Sequence, residues 1–522
     1  MNKNILLTAI LTVFTAVVTF GQAFGPDVII KNDTLNQRNV EITTAFNGWI
    51  FEAHSTVDES ANQGGITISK STDGGYTWTV IDSYTTTNIR YETHDLVVAG
   101  TSEASLTLYV SGVNHNLAAG SYTLYVDRYD AVTGSFIGSN YNLNKGTNRI
   151  YDVEIASDYM NPAMGASPYS VALLYSCYSS TYDSIVSVVS IDGGTTFSMR
   201  NTVGTTGSYF RNLSLDYGKS TSASNGRYFA AWERLPSSSA RTGNIYTSRN
   251  SSTVDGAWIT PVNLDSLSST MIGLCRNPRI ACSRGAFDND SGSVTSVVLV
   301  DRDYNGDASD YDMLGFYNKR AHYTNYWYRL DIVNSGENDV TPDILFAEAD
   351  TMFHAVYFDS TNLKLTYVSN EYNLLTPSTW NAVQSGMNDV SSASVNPNPR
   401  IAYRPGINEL ALAWSDEDST GGVAKFDIES FIYAGVNEQK QEMNALLYPN
   451  PVKDQLFIEL DEAMSQLATQ LTITDLNGRV VRNVQLDGQT TLSIAVDDMA
   501  NGTYMLRLDN QKGFASRLFV KE

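Results

Sequence analysis

Two clusters in this chain have side-chain types and spacing suited to chemistry. The first is DRDYNGDASDYD, in which Asp301, Asp303, Asn305, Asp307, Ser309 and Asp312 stand first, third, fifth, seventh, ninth and twelfth, with Gly306 sixth. Oxygen donors at that spacing around a glycine turn suit a calcium ion. The run lies between two strands without flanking helices, so a solvated acidic loop is the plainer alternative. The second cluster occurs twice, as STDGGYTW and SIDGGTTF, with Ser71, Asp73, Gly75, Thr77 and Trp78 matched by Ser190, Asp192, Gly194, Thr196 and Phe197. Such a cluster could do chemistry or could only close a turn. Asp-Gly-Gly supplies the positive φ of a tight hairpin, with the Asp bonding the turn's own backbone, and a turn Asp needs no catalytic explanation.

The elements that must carry these clusters are strands. From Pro26 to about Gly435, apolar residues alternate between short Gly, Asn, Asp and Ser breaks, and no stretch has helical period. One unit recurs seven times. Its first strand reads RNVEI, HDLVV, YDVEI, RNLSL, PRIAC, PDILF and PRIAY, anchored at Val40, Leu96, Val153, Leu213, Ile280, Ile344 and Ile401. Three further strands follow in six units. The seventh lacks a fourth, and PDVIIKND ahead of the first unit can supply it. Seven four-stranded units closed by an N-terminal strand predict an all-β fold, a seven-bladed β-propeller. Both Asp-Gly-Gly turns then join third to fourth strands, in units one and three.

The ends and the composition bound the rest. A basic start and an uncharged run from Ile5 to Phe20, followed by small residues, read as a signal peptide over residues 1–22. No other segment is long and apolar enough to span a bilayer, so no transmembrane segment is expected. Lys and Arg total 34 against 56 Asp and Glu, a net charge of −22. Such a surface repels phosphate backbones and excludes nucleic acid as an expected partner. Cys275 and Cys282 flank one strand, about 23 Å apart when extended, too far to bridge each other. With Cys177 they read as buried apolar side chains.

The paired phrases resemble the Asp-box (BNR repeat) of sialidase-like propellers, a turn that in that family is structural and lies away from the active site. Degenerate copies are expected near Trp258 and Trp380. After a polar linker at 436–445, residues 446–522 form a small C-terminal β-sandwich of Ig-like type. Tyr448-Pro-Asn-Pro451, Asp475-Leu-Asn-Gly-Arg479, Gly502-Thr-Tyr504 and the terminal Lys521-Glu522 fall there in order. These words resemble the type A C-terminal sorting domain of the type IX (Por) secretion system of Bacteroidetes. The resemblance implies partnership with that machinery, passage through the periplasm, and secretion or placement on the outer cell surface.

In a propeller spanning 26–435, the innermost strands begin at one mouth of the channel. The expected binding ring is Asn39, Asp95, Asp152, Asn212, Arg279, Asp343 and Arg400, with carboxylates from the second strands nearby. Such groups suit a glycan or carboxylate ligand. Resemblance to sialidases implies three arginines, here Arg211, Arg279 and Arg400, with Tyr151 and Glu233 as catalytic candidates. The family's Arg-Ile-Pro word is missing from the first inner strand. The leading reading is therefore a propeller that binds an extracellular glycan or protein. A sialidase-type glycoside hydrolase and a structural or adhesion protein remain the alternatives.

Overall fold

The computed structural model describes all residues other than 1–23, 25, 32–35, 101, 159–169, 180–181, 206–207, 220–225, 252–255, 268–273, 285–292, 304–305, 307–309, 333–336, 372–374, 376–379, 381–383, 390, 393, 395–396, 406, 419–420, 429–444, 461–467, 476–479, 487–488 and 511–512. The expected signal peptide, Asn305, Asp307 and Ser309, and all of the expected linker but its last residue thus lie outside the described residues. Two compact units divide the chain, 1–431 and 432–522.

The first unit is a seven-bladed propeller. Each blade is a four-stranded antiparallel sheet, in sequence order in the first six. The first strands are Asn36–Thr44, Ile89–Ala99, Ile150–Ser157, Tyr209–Gly218, Cys275–Cys282, Asp339–Ala347 and Arg400–Arg404, and they neighbour one another in a closed ring. Val28–Lys31 pairs antiparallel with Gly421–Ile428 and supplies the fourth strand of blade 7. The N-terminal strand thus closes the circle, as the missing seventh strand requires. Phe24, two residues ahead of the expected start, is buried in the blade 6–7 core against Tyr367.

A separate hydrophobic core fills each gap between neighbouring blades. Phe51, Ala53, Ile66 and Ile68 of blade 1 meet Leu96, Val98 and Tyr125 of blade 2. Ile50, on the opposite face of the same strand, packs with Ala411, Ala413 and Phe426 of blade 7. Blades are therefore buried on both faces, and their central strands read as nearly continuous apolar runs rather than strict alternations.

The inner strand of each blade is an edge whose N–H groups face the channel. Channel side chains of the preceding blade cap several of them. The Ile155 N–H donates to Asp95 at 2.8 Å, Leu213 to Asp152 at 2.7 Å, Cys282 to Asp216 at 2.8 Å and Ile401 to Asp343 at 2.9 Å. The Ile280 N–H donates to the Ser214 hydroxyl at 3.1 Å. These contacts satisfy buried backbone donors and stitch blade to blade.

The second unit packs a three-stranded sheet (Ala445–Tyr448, Gln455–Leu460, Thr491–Ala495) with a four-stranded one (Val480–Gln485, Ala468–Asp475, Gly502–Asn510, Gly513–Lys521). Leu456, Ile458, Leu471, Ile473, Leu506 and Phe519 form its core.

Candidate functional site

The channel is lined in three layers. Five inner strands are preceded or entered by a non-glycine residue in the left-handed region: Asn39, Asn212, Asn277, Thr341 and Asn398, with φ between 49° and 54°. Asparagine tolerates this conformation, whereas β-branched Thr341 is strained in it. The pairing slips beside it, as between Arg38 and Glu41 and between Arg276 and Arg279. Such bulges re-aim side chains at strand ends. Together with Thr93 and Asp152, these five residues line a cavity of about 260 Å³ at one mouth.

Beneath this amide-rich ring lie Glu41, Asp95, Glu154, Ser214, Arg279, Asp343 and Arg400. The next layer, around a further cavity of about 200 Å³, is largely apolar, with Val97, Ala156, Leu345 and Ala402. The seven residues of the expected binding ring are divided between two layers. Asp95, Arg279, Asp343 and Arg400 share the middle layer, whereas Asn39, Asp152 and Asn212 stand one layer nearer the mouth. Their middle-layer counterparts are Glu41, Glu154 and Ser214. Counting from the hydrophobic anchor slipped by two residues in blades 1, 3 and 4, which keeps the facing but shifts position by about 7 Å. The words Asn277-Pro-Arg279, Thr341-Pro-Asp343 and Asn398-Pro-Arg400 are the signal that places the register, and Glu41, Glu154, Asn277, Thr341 and Asn398 were missed without it.

Two of the four carboxyl groups in the middle layer are paired with its two arginines. Arg279 meets Glu154 at 3.0 Å, and Arg400 meets Glu41 at 2.6 Å. Burial raises the Asp95 carboxyl to about 7, with Glu41 adding to the shift. Burial also raises Asp152 and Asp343. These three carboxylates bond the next blade's backbone, which makes them scaffold.

The catalytic candidates are brought together only in part. Arg211, Arg279, Arg400 and Tyr151 line the mouth cavity. Arg211, however, is paired with Asp183 at 2.5 Å and stacked 3.5 Å from the Tyr151 ring. All three arginines therefore already hold a carboxylate of this chain. Burial raises the Tyr151 phenol, opposite to the activation a nucleophile needs.

Glu233 lies just behind the ring, 2% exposed. Its Oε2 accepts from Asn212 at 2.7 Å, Asn212 also donates to Asn277 Oδ1 at 3.0 Å, and Asn277 donates to Asp301 at 3.2 Å. Asp301 also receives the Arg276 Nε–H at 2.6 Å, and Arg276 was not expected here. Burial pushes the Glu233 carboxyl to about 8 and Asp301 to about 6. Two carboxyl groups thus brace two ring asparagines.

Asp301 and Asp303 occupy one face of the strand Ser296–Asp303, while Asp312 pairs across from Arg302 and so faces the other side. Asp303 caps the turn, receiving the Gly306 N–H at 2.7 Å. Among the described residues, no group of three His, Cys, Asp or Glu side chains is arranged to hold a metal ion. Cys177, Cys275 and Cys282 are unbridged and buried.

Both Asp-Gly-Gly turns bond internally. Asp73 Oδ1 accepts from the Ser71 hydroxyl at 2.8 Å and the Thr77 N–H at 3.0 Å, and Oδ2 accepts from the Thr77 hydroxyl at 2.6 Å. Asp192 repeats this with Ser190 and Thr196. Trp78 packs edge-on against Phe426 of blade 7, and Gly193 accepts the Tyr109 hydroxyl of blade 2. Each turn clamps the preceding blade. Asn250 and Asn318 hold the corresponding turns of blades 4 and 5.

Residues 446–522 match the family model of the secretion system C-terminal sorting domain. No curated protein matches the chain. Among solved structures, an α-L-arabinofuranosidase from Fusarium graminearum bound to an iminosugar inhibitor is similar at 12% identity, covering 78% of this chain and 98% of that one, with a TM-score of 0.43. An α-L-arabinanase from Penicillium chrysogenum complexed with arabinobiose gives 15%, 69%, 98% and 0.40. A Trypanosoma rangeli sialidase gives 11%, 75%, 53% and 0.37. No helix among the described residues is long and apolar enough to cross a membrane.

Proposed function

We propose, from the premise that residues 446–522 are a C-terminal sorting domain that sends the chain to the cell surface or the extracellular space, that the propeller is a glycan-binding module. Its ligand is a hydroxyl-rich, uncharged saccharide seated on the amide ring. The observation that carries this reading is the pairing of charge around the mouth. Arg211, Arg279 and Arg400 are each matched by a carboxylate, and the amides and hydroxyls of Asn39, Thr93, Asn212, Asn277, Thr341 and Asn398 line the cavity together with Asp152 and Glu92. Those amides and hydroxyls both donate and accept, as sugar hydroxyls do. The buried Thr341 hydroxyl has no partner, and its backbone is strained, which is where binding sites store strain.

Glu233 supports a second reading, glycoside hydrolysis. Its carboxyl keeps a proton up to about pH 8, and a protonated carboxyl beside a sugar is what general-acid catalysis uses. A carboxylate-bearing substrate fits less well, since it would have to displace a paired carboxylate from each arginine.

Calorimetric titration with neutral oligosaccharides and with sialyllactose separates these readings, run beside a panel of fluorogenic glycosides. Neutral sugars should bind and sialyllactose should not. The Asn212→Gly, Asn277→Gly variant keeps the left-handed backbone while deleting both amides, and should lose about tenfold or more in affinity. Undiminished binding by that variant, or no binding of any neutral glycan, overturns the proposal. Turnover of a glycoside that Glu233→Gln abolishes establishes the second reading.

A further inference from the structure

We infer that blades 4 and 5 hold a monatomic anion between them, a halide, at a site formed by Arg227, Arg249 and His322. The site lies at the end of the propeller where the inner strands finish, since Arg227 pairs with Gly218, the last residue of the blade 4 inner strand. It shares no residue with the amide ring and does not depend on it.

Strand parity brings the two arginines together. Phe229 and Ile245 belong to the core between blades 4 and 5. Arg227 stands two residues before Phe229 on the second strand of blade 4, Arg227–Leu235, and Arg249 stands four after Ile245 on the third, Asn244–Arg249. Both therefore face blade 5. Phe229 pairs directly with Arg249, which makes Arg227 and Arg249 diagonal neighbours about 7–8 Å apart along the backbone. The opposite wall is the blade 5 turn that carries His322, whose carbonyl accepts from Arg227 Nη1 at 2.8 Å.

Positive charge is left uncompensated in this gap. Arg249 is 8% exposed and His322 3%. Arg249 Nη1 donates to the Asn250 carbonyl at 3.1 Å. The Nε–H groups of both arginines and Nδ1 of His322 are buried without a hydrogen-bond partner, and among the described residues no carboxylate pairs with either guanidinium. Burial first, then Arg227, lowers Arg249 to about 10, so it stays cationic at neutral pH. Burial first, then Arg227 and Arg249, lowers His322 to about 4, which leaves a neutral ring with an N–H to donate. Buried like charges disfavour each other, and a buried donor without an acceptor costs its full desolvation. An anion supplies the missing charge and the missing acceptor together.

Size selects the class of anion. The cavity that Arg249 lines, with Asn318, Thr324 and Trp327 from blade 5, is about 10 Å³. That is room for about one water-sized sphere. Sulfate, phosphate and carboxylate-bearing molecules exceed it, whereas a single-atom anion such as chloride or bromide is the kind it can take.

Melting of the full chain in sodium chloride or bromide, against sodium gluconate at equal ionic strength, tests it. Halide should raise the melting temperature saturably, by about 2 °C or more, and gluconate, too large for the cavity, should not. Arg249→Met keeps an unbranched apolar stem and removes the charge. It should abolish the halide response and, in gluconate, melt no lower than the parent, because an unpaired buried charge has gone. If that variant misfolds, crystals of the parent grown in bromide should still show an anomalous scattering peak beside Arg249. No halide-specific rise in the parent, a rise that survives in Arg249→Met, or no bromide peak beside Arg249 overturns the inference.

Discussion

At Gly75 the backbone sits at φ +89°, and an added Cβ would meet the Phe426 ring at 1.9 Å. Asp73, two residues earlier, is mostly exposed and held by bonds within its own turn. The two positions should therefore differ in cost. Asp73→Ala should lower stability by about 1–2 kcal/mol through lost turn hydrogen bonds. Gly75→Ala should cost more than about 2 kcal/mol, because backbone strain and a clash with the neighbouring blade add. Urea unfolding of both variants checks the order. Saccharide affinity at the amide ring should stay the same in each folded variant, and a selective loss would give these turns a role beyond clamping. The Thr77 hydroxyl, chiefly, holds the Asp73 carboxyl below its usual range. Its stabilising contribution is accordingly present above about pH 4 and lost on further acidification.

At the scale of the element, the hairpin Ser296–Asp303 to Tyr311–Asn318 separates two roles proposed for one set of carboxylates. As a loop, its acidic run would wrap calcium. As a strand, it directs Asp301 to Arg276 and Asn277 and turns Asp312 to the opposite face. The strand role predicts that Asp301→Ala lowers the melting temperature equally in millimolar calcium and in EDTA, since the lost partner is a guanidinium left half-buried. A calcium-induced rise in the parent that disappears in Asp301→Ala would instead make the loop a metal site. Differential scanning calorimetry in the two buffers distinguishes the outcomes.

The whole molecule concentrates carboxyl groups around a closed channel, and this sets its response to pH. Burial raises Glu233 to about 8, Asp95 to about 7 and Asp301 to about 6. In the unfolded chain the same groups ionise near pH 4. Between those values the native state binds more protons than the unfolded state, so stability falls as pH rises. The melting temperature should be higher near pH 5 than near pH 8, and growing negative charge acts in the same direction. Glu233→Gln should flatten the decline between about pH 6 and 8. Fluorimetric melting across this range checks both, and a melting temperature that climbs from pH 5 to 8 would contradict the account.

The amino-acid sequence by itself determined the blade count, the N-terminal closing strand, the two Asp-Gly-Gly turns and the sorting domain. Each depends on a local pattern: period-two alternation, glycine at positive φ, or short words in order. The composition of the layer at the channel mouth was only partly legible. Asn39, Asn212 and Asn277 enter the left-handed region and shift the pairing beside them, and such a bulge changes the phase of a strand without altering its hydrophobic pattern. The tertiary structure alone decided the state of the charges. Glu41 and Arg400 are 359 residues apart, and Glu154 and Arg279 are 125 apart. They meet because seven blades close a circle, and that closure leaves each of these guanidinium groups paired with a carboxylate.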